Sequence, residues 1–104
     1  MNNKSYDKFF MNFANETRQR IIMSLMERDM SVGEITAEIG EEQSNVSHHL
    51  AHLIKCRILR VKKQGQKRIY TVNKRTVKPM LALVEKHMSG NCSGCPMSKS
   101  CSGG

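Results

Sequence analysis

The chain has no tryptophan, three phenylalanines, two tyrosines and two prolines. No apolar run approaches the about 20 residues that a membrane-spanning helix needs, so no membrane partner is expected. Few aromatics leave the core to Ile, Leu, Val and Met, and a single domain of 104 residues is near the lower end of what buries a self-sufficient core. A second copy could supply part of the burial. The opening MNNKSYDKFFMNF lacks the apolar stretch and small-residue cleavage site of a signal peptide. A cytoplasmic protein is therefore expected, with its four cysteines mostly reduced, which favours metal or thiol chemistry over structural disulfides. No Ser–His–Asp arrangement, Gly-rich phosphate loop or paired catalytic carboxylates can be picked out, so an enzyme is not expected.

Acid is scarce in one half of the chain. Residues 1–40 hold five basic and six acidic side chains, whereas residues 41–104 hold twelve basic and three acidic. Between Lys55 and Lys78 there are ten Lys or Arg and no Asp or Glu. The net charge of +8 is thus placed for a polyanionic partner rather than spread for solubility. The competing reading is a basic face that is merely solvated, since basic runs often do nothing specific.

What is present reads as helices around one basic ribbon. Residues 5–14 hold Phe9, Phe10 and Phe13 with Met11, a short apolar helix that needs a partner, either its own core or a second subunit. Asn15 is a good N-cap with Glu16 in the first turn, and Ile21, Ile22, Leu25 and Met26 form the stripe of a second helix ending near Glu27–Asp29. Ser31 and Glu34 have capping-box spacing, Ile35 and Ile39 point inward, and Gly40 can end that short helix. After the short link Glu41–Glu42, the stretch to Cys56 places Val46, Leu50, Leu53 and Ile54 on an apolar stripe. Its opposite side carries Ser44, Ser47, His48 and Ala51, small, polar and free of acid. An exposed helix usually keeps long charged side chains there; small ones let the backbone approach something closely, and hydroxyl or imidazole groups can meet base edges or phosphates. This helix reads as a DNA-recognition helix.

Residues 58–63 and 67–72 alternate on either side of Gln64-Gly65-Gln66, the pattern of a β-hairpin. Ile58, Val61, Ile69 and Tyr70 would face the body, leaving Arg60, Lys62, Lys63, Lys67 and Arg68 for phosphate. A last helix begins between Asn73 and Pro79, with Pro79 tolerable only in a first turn, and runs to about Met88 with Leu81, Val84 and Met88 as its stripe. From Ser89 the composition turns to Gly, Ser and Cys. The division expected is a domain over 1–88 and a flexible cysteine-rich tail over 89–104.

The order of these elements, mainly α with a small β-hairpin, is that of a winged helix-turn-helix. The residues Ala14-Asn-Glu-Thr-Arg-Gln-Arg-Ile-Ile22, Gln43-Ser-Asn-Val-Ser-His-His-Leu50, Arg57-Ile-Leu-Arg60, Gln64-Gly-Gln-Lys67 and Ile69-Tyr70 go further. Together they resemble the ArsR/SmtB family of small dimeric repressors over about residues 8–88. That resemblance implies a homodimer joined through the first and last helices, with Phe9, Phe10, Phe13, Leu81 and Val84 at the interface. It implies a near-palindromic double-stranded operator and a repressor that leaves it when an inducer binds. At matching positions, Gln43, Ser44, Asn45, Ser47 and His48 would meet the major groove, Gln and Asn being suited to adenine. Lys62, Lys63, Lys67 and Arg68 would hold the flanking backbone or minor groove. His49, beside Val46, Leu50 and Leu53, is a packed hydrogen-bonded residue rather than a base reader. Glu41 and Glu42 would repel phosphate unless angled away.

Two sensors common in that family are missing. Met30-Ser-Val-Gly33 has no thiol where a Cys-x-Cys pair often stands, and the last helix offers only Glu85 and His87. The remaining candidate is His87-x4-Cys92-x2-Cys95-Pro-x4-Cys101, whose Cys-x-x-Cys pair lets two sulfurs reach one soft ion. Cys92, Cys95 and Cys101 suit As(III), and with His87 or Cys56 they suit Zn(II) or Cd(II). Cys95-Pro96 leaves open an iron–sulfur cluster or a redox-responsive winged-helix regulator. A thiol–disulfide enzyme using Cys92 and Cys95 is the reading of another class, and it lacks the strand–helix setting such enzymes use. Cys56, at the end of an apolar stripe, reads as a small buried hydrophobe.

Overall fold

The computed structural model describes residues 3–91. Helices α1 (Asn3–Ala14) and α2 (Glu16–Glu27) lead to a two-residue strand β1 (Met30–Ser31), then α3 (Val32–Ile39) and α4 (Gln43–Lys55). Strands β2 (Leu59–Gln64) and β3 (Lys67–Val72) follow, and α5 (Lys74–Asn91) is the last element described. Residues up to Asn73 form one unit and those from Lys74 a second.

In the first unit, local chemistry fixes the ends of each helix. The Asn15 side chain accepts from the Arg18 backbone N–H at 3.0 Å and starts α2. Ser31 and Glu34 form the full capping box that their spacing announces, starting α3. Gly40 ends α3 with φ 77°, left-handed as expected, its N–H bonded to the Thr36 carbonyl at 2.8 Å. The two-residue link Glu41–Glu42 then turns the chain into α4. That helix stops in a Schellman motif: Ile58 N–H reaches the Leu53 carbonyl at 3.0 Å and Arg57 N–H reaches Ile54 at 2.9 Å. Arg57 occupies the left-handed position with φ 61°, where glycine is the usual residue.

These stops aim one face of each helix inward. Ile21, Ile22 and Leu25 of α2, Ile35 and Ile39 of α3, and Val46, Leu50 and Leu53 of α4 are buried together with Met30, Ile58, Leu59 and Val72. Each such side chain contributes about 1.5–3 kcal/mol on burial. α4 is therefore held from below by three apolar residues, which leaves its other face to solvent.

The sheet has the order β1-β3-β2, entirely antiparallel, so the hairpin gains a third strand. Met30 pairs with Tyr70 and Ser31 with Ile69. β2 and β3 run in register from Leu59 opposite Val72 to Gln64 opposite Lys67. Gly65, φ 64°, and Gln66 alone make the turn, the Gly-first pattern of a type II′ loop, with Gln64 still in the strand. The body-facing set is corrected accordingly. Leu59 and Val72 are buried, whereas Val61 is 41% exposed; Ile58 is buried too, but as part of the helix stop before the strand.

In the second unit, α5 continues to Asn91, beyond the stop expected near Met88. Pro79 lies inside this helix, as its sixth residue, rather than in its first turn. It is exposed, and having no N–H it leaves the Arg75 carbonyl without an i+4 donor. Leu83 and Val84 are exposed, and Met80, Leu81 and Met88 are half-buried.

Candidate nucleic-acid interface

The exposed face of α4 carries Gln43, Ser44, Asn45, Ser47, His48 and Ala51 in its first nine residues. All five polar residues expected to meet bases are on this surface, and no acidic residue lies within the helix. Glu42 caps the helix without a side-chain bond, so the N-terminal amides of α4 keep their partial positive charge toward solvent.

Of the two acids in the preceding link, Glu42 adjoins Gln43, is exposed and makes no side-chain cap bond, whereas Glu41 is turned back toward the body. Its Oε2 accepts from Thr17 Oγ1 at 2.9 Å and lies 3.8 Å from Arg20 Nη1, while Oε1 accepts from the side-chain amide of Asn45. Arg20 also donates through Nη2 to the Ile39 carbonyl at 2.9 Å, so one guanidinium serves both the end of α3 and the link. The repulsion expected between Glu41 and phosphate is thereby reduced.

His49 is the packed residue its setting suggested. Arg18 Nε donates to its Nδ1 at 2.9 Å, and Arg18 Nη1 donates to Asn12 Oδ1 at 3.0 Å. Asn12 is buried in α1 and donates to the Lys8 and Phe9 carbonyls. Desolvation lowers the His49 pKa below its usual value, and the adjacent Arg18 guanidinium adds to the effect. His52, exposed one turn further along, is lowered as well, first by desolvation and then by Arg18, His48 and Lys55. His48 and His52 stack edge to face with centroids 4.8 Å apart. The Asn12–Arg18–His49 relay links α1, α2 and α4; its side chains are up to 37 residues apart in the chain, so no local pattern announces it.

The hairpin divides its cations between two faces. Lys63 stands directly opposite Arg68, on the strand parity of Leu59 and Val72. Lys62 pairs with Ile69 and Gln64 with Lys67 on the other parity. Like charges directly opposite one another destabilise a sheet unless an anion lies between or beside them. Lys63, Lys67 and Arg68 are exposed; Lys62 is exposed too but has Asp29 Oδ2 3.8 Å from its Nζ. The four therefore do not form one ribbon.

Other expected residues fall elsewhere. On α1, Phe10 is exposed, and Phe9 and Phe13 are half-buried with ring centroids 5.5 Å apart. Cys56 is half-buried at the end of α4 rather than fully packed. His87 is exposed on α5, while Cys92, Cys95 and Cys101 lie outside the described residues. Among the described residues no helix is long and apolar enough to cross a membrane.

Comparison with known proteins bears on the family and the fold. Residues 15–61, from the cap of α2 into β2, match the family model described as bacterial regulatory protein, arsR family. The transcriptional activator HlyU of Vibrio cholerae is 34% identical over 73 residues, covering 70% of this chain and 68% of that protein. The uncharacterized HTH-type transcriptional regulator Rv0081 of Mycobacterium tuberculosis is 34% identical over 80 residues, 76% of this chain and 70% of its own. The Rv0081 crystal structure superposes with a TM-score of 0.79 at 32% identity, covering 88% of this chain and 92% of that one. A homodimeric winged helix-turn-helix DNA-binding domain, Mb0332 of Mycobacterium bovis, shares the fold at 18% identity, with a TM-score of 0.76 over 89% of this chain and 86% of its own.

Proposed function

The chain belongs to the arsR family of bacterial regulatory proteins, as a winged-helix transcriptional regulator and not an enzyme, and from that premise we propose how it binds DNA and is released. α4 enters the major groove with Gln43, Ser44, Asn45, Ser47 and His48 toward base edges. Lys63, Lys67 and Arg68 hold phosphate beside it, with Lys62 once it leaves Asp29. Two copies, meeting through Phe9, Phe10 and Phe13 of α1 and Leu81 and Val84 of α5, place two such helices on a near-palindromic operator. The observation that supports this most is the exposed face of α4, made of small and polar residues with no acid within the helix, while Glu41 of the preceding link is engaged by Thr17 and Arg20.

Release belongs to the thiols of the C-terminal segment. Cys92, Cys95 and Cys101, with His87, make a donor set suited to a soft metal or metalloid such as As(III), Zn(II) or Cd(II). His87 on α5 is exposed and so open to a ligand. Such an ion supplies a tie among thiolates, and its binding lowers operator affinity, which makes the protein a repressor lifted by its inducer. The test is fluorescence anisotropy with duplexes selected from a random pool, at rising salt and with each ion added to reduced protein. Affinity should fall steeply with salt, and the ion should release DNA from wild type but not from a variant with Ser at all three tail positions. Salt-insensitive binding would end the DNA reading; an unchanged response in the triple variant would end the sensor reading.

A further inference from the structure

Among the polar side chains on the exposed face of α4, the contacts of Glu41 single out Asn45. Glu41 stands two residues before the first residue of α4 and Asn45 is the third residue within it. The side-chain amide of Asn45 donates to Glu41 Oε1. A carboxylate only accepts, so the NH2 end of Asn45 must face Glu41 and the carbonyl end must face away. The amide is thereby held in one of its two flip states. That bond uses one N–H and leaves the Oδ1 acceptor and the second N–H unused by Glu41.

That pair has the complement of one base in the major groove. Adenine presents the N6 amino donor beside the N7 acceptor, which a carboxamide meets with its oxygen and one N–H. Guanine presents two acceptors at the same place, and the fixed oxygen of Asn45 would oppose one of them. We propose that Glu41 is a positioning residue that sets the base Asn45 reads, by locking its amide into the orientation that accepts adenine and rejects guanine. This rests on the DNA-binding reading of α4 and adds to it a named reader, a base and a cause of selectivity.

Glu41 is built to hold this role next to a polyanion. Thr17 Oγ1 donates to Oε2 at 2.9 Å and Arg20 lies 3.8 Å from the same oxygen, so both carboxylate oxygens are engaged and the charge is compensated. The start of α4 adds the partial positive charge of its free amides. Glu42, the neighbouring acid, makes no side-chain bond to the helix and holds no reader. Removing Glu41 therefore removes orientation and a partly screened negative charge together, and the two effects have opposite signs. Selectivity falls, while affinity for duplexes of unrelated sequence stays the same or rises.

The experiment starts from the duplex that the wild-type chain selects from a random pool. Each A·T pair is exchanged for G·C in turn, and binding is followed by fluorescence anisotropy for wild type, Glu41→Ala, Asn45→Ala and the double variant. Wild type should lose about ten- to a hundredfold in affinity at one exchanged pair. Glu41→Ala and Asn45→Ala should each flatten that position, and the double variant should be no flatter than Asn45→Ala alone. Glu41→Gln keeps a carbonyl acceptor without the charge, so it should retain the preference. Glu41→Ser, too short to reach Asn45, should behave as Glu41→Ala and replaces it if that variant does not melt cooperatively. The inference is overturned if Glu41→Ala and Glu41→Ser keep the full preference, or if the double variant loses selectivity beyond that of Asn45→Ala. A wild-type chain that binds no duplex in a salt-dependent way overturns instead the DNA reading beneath it.

Discussion

Two single residues carry more than their neighbours. His49 must keep Nδ1 unprotonated to accept from Arg18, so its proton sits on Nε2 and the neutral ring is the native form. Desolvation first, and Arg18 second, lower its pKa in the folded state. The unfolded chain therefore binds the proton more readily, and the stability this contributes is full above the ordinary histidine pKa and lost as pH falls toward the folded value. The urea midpoint should drop on going from about pH 7.5 to 5.5, with a shallower drop in His49→Gln, which can still accept from Arg18 without titrating. An identical pH dependence in that variant would remove His49 from the explanation. Arg57 is the other case. Its φ of 61° is strained for a residue with a Cβ, so Arg57→Gly should stabilise the fold by about 1 kcal/mol in urea melts. Denaturation at unchanged midpoint would show that the side chain offsets the strain through contacts of its own.

Among the elements, the wing is where charge opposes charge. Lys63 faces Arg68 across the ladder, an arrangement that repels until phosphate lies against it. Lys63→Ala should lower the slope of log affinity against log salt by about one and weaken all sequences alike. Lys62→Ala should change that slope less, because Asp29 already sits beside Lys62; equal slopes would mean that Asp29 moves aside on binding. The helices here were readable because caps and periodicity agree over eight or more residues: Asn15, the Ser31–Glu34 box and Gly40 all act where their spacing places them. The strands were read less well. β1 is two residues long, too short for any period, and the burial of both Ile58 and Leu59 belongs to two different devices, a helix stop and a strand, which a single alternation cannot describe. Least legible was the polar support of α4. Thr17, Arg18 and Arg20 meet Glu41 and His49 from 21 to 31 residues away, through contacts that only the folded chain creates.

For the molecule as a whole, the same shortage of core that marks the sequence reappears as exposed apolar surface. On α1, Tyr6, Phe10 and Met11 are exposed, Phe10 by 57%; on α5, Leu83 and Val84 are, Leu83 by 69%. Large apolar residues concentrated on an outer face are costly in a lone subunit and ordinary at an interface between copies. A dimer also has a functional consequence, because a two-fold axis is what spaces two recognition helices about 34–36 Å apart for successive major grooves. Phe10→Asp and Val84→Asp, each placing a charge on one of the two faces, should shift the chain from dimer toward monomer in sedimentation across a range of concentrations. Neither position lies on α4 or the wing, so contacts within one half-site should survive. Affinity for the full operator should therefore fall to that of a single half-site, with the salt slope reduced by about half as one subunit's phosphate contacts are lost. If both variants sediment as wild type does, the exposed faces of α1 and α5 do not join the copies; if they become monomeric and still bind the full operator at wild-type affinity, two-fold spacing is not how this chain finds its site.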